Sequence, residues 1–148
     1  MAADLHIFFS YLSCYPDLIR ATSDDASPTP GYLLHKISEV TLTSPAQTPK
    51  LVDFMVVRLQ NTSSPTAKLK TLRLMLYCAR YGGPEFRRLL RSRDGDVTAA
   101  SAACGPADPV LGATPQLWVR STSQELLALL FSSADEAVAS GSQPACGS

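Results

Sequence analysis

At 148 residues the chain has the length of one domain and is too short for a multidomain enzyme. Its 13 Lys and Arg balance 13 Asp and Glu, so whole-chain charge commits it to neither nucleic acid nor an anionic surface. With 45% hydrophobic and 18% charged residues the composition is that of a soluble globular domain with a real core.

Apolar runs such as Leu126 to Phe131 fall far short of the roughly 18 residues a spanning helix needs. The start lacks a secretory signature, because Asp4 and His6 stand where a positive region belongs. Cys14, Cys78, Cys104 and Cys146 form no C-x-x-C pair and read as reduced core residues.

Apolar residues recur at three and four, so the chain reads as nearly all helix. A first helix is expected from about Asp4 to Ala21, with a break at Tyr15 before Pro16. After the polar turn Thr22–Asp25, Pro28 and Pro30 lead into a short helix carrying Leu33, Leu34, Ile37 and Val40. Thr48 and Pro49 form an N-cap and N1 pair for a helix through Leu59, apolar on several sides and therefore an inner one. Ser64 and Pro65 repeat that signal. The helix they open carries Leu69, Leu72, Met75, Leu76 and Ala79 and stops at Gly82, Gly83 and Pro84. A short helix from Glu85 to about Arg93 and an alanine-rich stretch from Val97 to Cys104 follow. The last helix, about Pro115 to Phe131, is expected to pack through Trp118, Val119, Leu126, Leu129 and Leu130. The predicted fold is an all-α stack of about seven short helices over residues 1–131, with 132–148 a disordered Ser, Ala and Gly tail.

The inventory for catalysis is thin. His6 and His35 are the only histidines, and neither H-x-x-x-H nor C-x-x-C spacing is present for zinc. A cysteine enzyme built on Cys14 or Cys78 with His35 would need an adjacent base and an orienting third group, and the sequence shows none. Asp24 and Asp25 after Thr22 and Ser23 read as capping groups, and Gly82–Gly83 lacks phosphate-loop spacing. No catalytic residue, metal ligand, cofactor or small-molecule substrate is expected.

One signal survives. Residues 1–53 carry three basic and six acidic groups, 54–93 nine basic and one acidic, and 94–148 one basic and six acidic, so neutrality hides a dipole. On the central helix Lys70, Arg73, Tyr77 and Arg80 share a side opposite the apolar stripe, while Lys68 points elsewhere. On the next, Arg87, Arg88 and Arg91 share a side. The arrangement suits an ordinary solvated face, or a ridge for an anionic partner such as an acidic protein or lipid headgroups. The run Arg87–Arg93 is an amphipathic helix rather than a nucleic-acid patch, and no nucleic-acid partner is expected.

Ala21–Thr41, ATSDDASPTPGYLLHKISEVT, resembles the turn and second helix of the epsin amino-terminal homology (ENTH) and VHS domain superfamily. Within it, Thr22–Asp25 with Pro30–Leu33, Lys68–Tyr77 (KLKTLRLMLY) and Cys104–Leu111 (CGPADPVL) resemble the branch of accessory proteins of the fourth heterotetrameric adaptor complex. The likeness covers about residues 14–131. It implies a right-handed superhelical stack without enzymatic activity, serving vesicle coats from the cytosol and the cytoplasmic face of trans-Golgi network membranes. The implied partner is that adaptor complex or another coat protein. A phosphoinositide-binding membrane module of the epsin type is the alternative. Residues 1–19 hold no Lys or Arg, unlike the basic leading helix of lipid-binding epsins, so that lipid site is not carried over. Such accessory proteins reach their adaptor through short hydrophobic motifs beyond the folded domain, which the tail lacks. The chain is therefore expected to be one domain of a longer protein, a short isoform, or a homologue without direct adaptor binding.

Overall fold

A computed structural model of the protein describes residues 12–25, 27–62, 64–102, 110 and 112–132. Among them the chain forms seven α-helices: α1 (Tyr15–Ala21), α2 (Gly31–Thr43), α3 (Thr48–Gln60), α4 (Pro65–Tyr81), α5 (Pro84–Arg91), α6 (Asp94–Ala102) and α7 (Thr114–Leu130). A single 3₁₀ turn, Pro45–Gln47, joins α2 to α3. Five of the seven helices carry proline in their first turn, where its missing N–H costs nothing and its fixed φ favours the helix.

The helix starts follow expectation at α1 and depart from it at α3. Leu12 to Cys14 form a turn ahead of α1, whose first turn holds Pro16, so the break expected before Pro16 is present. Thr48 does not cap α3. The 3₁₀ turn runs straight into the helix and gives Thr48 helical angles, leaving its buried hydroxyl without a partner. Gln47 instead accepts at Oε1 from the Ser13 backbone (3.0 Å) and hydroxyl (3.1 Å), tying this corner to the turn before α1. The expected segments 4–11, 103–109 and 133–148 lie outside the described residues.

The core sits where α3 and α4 are enclosed. α3 buries Leu51, Val52, Phe54, Met55, Val56 and Leu59, an inner helix as its apolar girth implies. α4 packs most extensively on α7 and also meets α2, α3, α5 and α1, and it buries Leu72, Leu74, Met75, Leu76, Cys78 and Ala79. Phe86 of α5, Val97 of α6 and Val119, Leu126 and Leu130 of α7 close the stack. Burial of each such large apolar side chain contributes about 1.5–3 kcal/mol.

Gly82 and Gly83 do more than stop α4. The Gly83 N–H donates to Thr41 Oγ1 at 2.8 Å, and a Cβ on Gly82 would stand 2.4 Å from that oxygen. The α4–α5 corner thus presses against the end of α2, a contact only glycine permits.

Candidate functional site

The basic segment 54–93 folds onto its acidic flanks. Lys70, placed on the outward side of α4 by helical phase, is instead only 8% exposed. Its ammonium donates to Asp25 Oδ1 at 3.0 Å and to the Asp25 backbone carbonyl at 2.8 Å, in the loop between α1 and α2. The physical reason is packing. α4 lies in the middle of the stack, so the side opposite its apolar stripe faces other parts of the chain. That hydrogen bond, with help from the Ser23 hydroxyl, holds the Asp25 carboxyl below its ordinary range. Asp25 also accepts from the Ser27 N–H, and Asp24 accepts from the Ser64 hydroxyl, which caps α4 by receiving the Ala67 N–H. The two aspartates therefore clamp the loop to the start of α4 and cap no helix themselves.

The other predicted ridge residues divide between separate tasks. Arg80 reaches across to Glu125 of α7 at 2.7 Å. Tyr77 stacks on Tyr81, ring centroids 4.8 Å apart. Arg87 donates to the Ala79 carbonyl in the last turn of α4, and Arg91 to the Leu130 carbonyl at the end of α7, so both satisfy helix C-termini. Arg88 pairs with Glu85 of its own helix. Arg93 bridges Asp53 and Asp96. Lys68, 1% exposed, reaches the Ala100 carbonyl near the end of α6. Among the described residues Arg73 alone in this block has no hydrogen-bonding or ion-pair partner.

Arg73 stands on the rim of a groove of about 370 Å³ lined by Ser27, Pro28 and Thr29 of the loop, Leu34 of α2, Pro65, Thr66, Leu69, Lys70 and Arg73 of α4, and Pro115 and Trp118 of α7. Helical phase places Trp118 in the packing face of α7. It is 49% exposed, its ring lining this groove. The sequence offered no sign of the groove, since its walls come from four places in the chain.

Among the described residues nothing resembles an activated nucleophile. Burial keeps the Cys14 thiol protonated, pushing its pKa to about 11, and Cys78 is raised further for the same reason. His35 is exposed and lies 3.4 Å from Glu39 Oε2 of its own helix. No group of three or more His, Cys, Asp or Glu able to hold a metal occurs among the described residues. No helix among them is long and apolar enough to cross a membrane.

The sequence profile of the ENTH domain matches residues 15–135, from the start of α1 past the end of α7. The chain belongs to the ENTH domain family. Over 123 residues it is 36% identical to the AP-4 complex accessory subunit Tepsin of Homo sapiens, covering 83% of this chain and 23% of that protein. Identity to the Xenopus laevis counterpart is 37% over 123 residues, again 83% of this chain and 22% of that protein. The Arabidopsis thaliana protein MODIFIED TRANSPORT TO THE VACUOLE 1 is 33% identical over 112 residues, 75% of this chain and 16% of that protein. This ENTH chain thus spans a quarter or less of the length of these curated relatives. An NMR structure of an ENTH-VHS domain from Arabidopsis thaliana superposes with a TM-score of 0.76 at 28% identity, covering 94% of this chain and 97% of that one. The structure of the endocytic adaptor complex AENTH gives 0.72 at 21% identity, over 94% and 92% of the two chains, a likeness of fold. The ENTH and VHS resemblance read from Thr22–Asp25, Pro30–Leu33 and Lys68–Tyr77 holds, and its accessory-subunit branch is that of Tepsin. Both lysines at the head of that last motif are structural ties: Lys68 to α6 and Lys70 to the α1–α2 loop.

Proposed function

We propose that this ENTH domain belongs to a non-catalytic accessory protein of vesicle coats, associated with AP-4, the fourth heterotetrameric adaptor complex, in traffic at the trans-Golgi network. The observation that carries the reading is the 36% identity to Tepsin, an AP-4 complex accessory subunit, across 83% of the chain. The non-catalytic part draws on the chemistry of the fold: its described thiols are buried and protonated, and its described histidine is paired on the surface. The protein then works from the cytosol and the cytoplasmic face of the membrane, recruited by coat proteins.

The partner face is the part of the predicted ridge that stays open. Arg73, Arg80 and Arg88 are exposed on α4 and α5, whereas Lys70, Arg87 and Arg91 hold neighbouring elements in place. Precipitation of the tagged natural protein is expected to bring down AP-4 subunits. Reversing Arg73, Arg80 and Arg88 to Glu is expected to keep the helical circular dichroism signal and weaken capture of the domain's coat partner. Salt-sensitive sedimentation of the domain with phosphoinositide liposomes, without adaptor capture, would move the function to the epsin-type membrane module.

A further inference from the structure

Six serines and threonines in the chain precede proline: Ser27, Thr29, Ser44, Thr48, Ser64 and Thr114. Serine or threonine followed by proline is what proline-directed protein kinases select, and the proline itself holds the preceding residue in the extended backbone such kinases bind. The fold withdraws most of the six. Thr48 is buried, Ser64 caps α4, and the Thr29 hydroxyl donates to the Ala21 carbonyl at 2.8 Å. Ser44 and Thr114 are half-buried at helix boundaries. Ser27 is exposed in the non-helical loop between α1 and α2, and its hydroxyl makes no hydrogen bond among the described residues.

A second, independent observation points to a phosphate at the same place. Asp25 Oδ1 accepts at 3.0 Å from the Ser27 N–H and at 3.0 Å from Lys70 Nζ, so the Ser27 backbone and the Lys70 ammonium lie within two hydrogen-bond lengths of each other. Ser27, Lys70 and Arg73 line one groove, and Arg20 joins Ser27 and Lys70 around a second, smaller cavity. Arg20 is engaged with the Tyr32 hydroxyl at 2.9 Å, while Arg73 has no partner among the described residues. Three cations and one acid, Asp25, therefore gather about an exposed serine that stands before proline.

We propose that Ser27 is a site of proline-directed phosphorylation and that Lys70 and Arg73 form the receptor for its phosphate. A Ser/Thr protein kinase supplies the step with ATP. The bond from the γ-phosphorus to the β,γ-bridging oxygen breaks, the bond from Ser27 Oγ to that phosphorus forms, and ADP leaves. The hydroxyl proton passes through the kinase's base to water. The phosphoserine carries nearly two negative charges and three acceptor oxygens. It outcompetes the single carboxylate of Asp25 for Lys70, and Arg73, three residues further along α4, closes on it from the groove side. The loop is then fixed to α4 beside Trp118, the one tryptophan in the chain, which lines the same groove.

The test incubates the full 148-residue chain with ATP and a purified cyclin-dependent protein kinase and maps the product by mass spectrometry. Phosphate is expected at Ser27 and at no position in its place when Ser27→Ala, a variant with unchanged circular dichroism, is used. By ³¹P NMR the second pKa of the phosphoserine is expected below the usual value of about 6, because neighbouring cations favour the dianion. Arg73→Gln, an exposed and fold-neutral change, is expected to return it towards that value, and Trp118 emission is expected to change on phosphorylation of the wild type alone. Failure to modify Ser27, with the kinase active on a standard peptide, overturns the proposal. So does a phosphate that titrates near 6 and does not respond to Arg73→Gln.

Discussion

Lys68 and Lys70 are two residues apart on α4, about 200° around the helix, and each serves as a tie to a different element. Lys68 is enclosed, so truncation removes both its bond to the Ala100 carbonyl and the packing of its stem. Lys68→Ala is expected to lower unfolding free energy by about 2 kcal/mol or more, and Lys68→Met, which keeps the volume, by clearly less, as read from urea denaturation. Lys70 contributes through Asp25, whose carboxyl titrates below its ordinary 3.8 because the ammonium bonds its charged form. A depressed acid stabilises fully above its unfolded value and loses that contribution as pH falls through its folded one. The stability difference between wild type and Asp25→Asn is therefore expected to be constant above about pH 5 and to shrink progressively as pH falls below about 4. A difference that persists into stronger acid would place the role of Asp25 in its bond to the Ser27 N–H instead.

Helices were legible because their starts are chemical. Proline in the first turn and glycine after the last mark α4 in the sequence as clearly as in the structure, and the girth of α3 announces an inner helix. What helical phase does not reveal is which neighbour covers a given side. α7 lies along α4 and offers Glu125 to Arg80, and the C-termini of α4 and α7 end where α5 presents Arg87 and Arg91. Arginines that read as one ridge on α5 thus have unequal worth. Arg87→Ala leaves a half-buried carbonyl of α4 short of a charged donor and is expected to cost about 1–2 kcal/mol. Arg88→Ala, which removes an exposed pair with Glu85, is expected to change stability by no more than about 0.5 kcal/mol. Thermal melts of the two variants check the contrast.

At the scale of the molecule, the nine cations of residues 54–93 are largely spent on the chain itself. Asp25 and Asp53 come from the segment before them, and Asp96 and Glu125 from the segment after, so a dipole in the sequence becomes a set of internal ties in the fold. Charge counting could find the imbalance but not its consumption, since all of these pairs but Arg93–Asp96 span some 40 residues or more. Arg73 and Trp118, on the groove between loop, α2, α4 and α7, remain as the open features. We propose that this ENTH domain serves an adaptor-dependent coat and does no chemistry of its own. The most direct test is the distribution of the tagged natural protein in cells with and without AP-4. Concentration at the trans-Golgi network that disperses into the cytosol when the adaptor is removed is the predicted result; a distribution indifferent to the adaptor would contradict it.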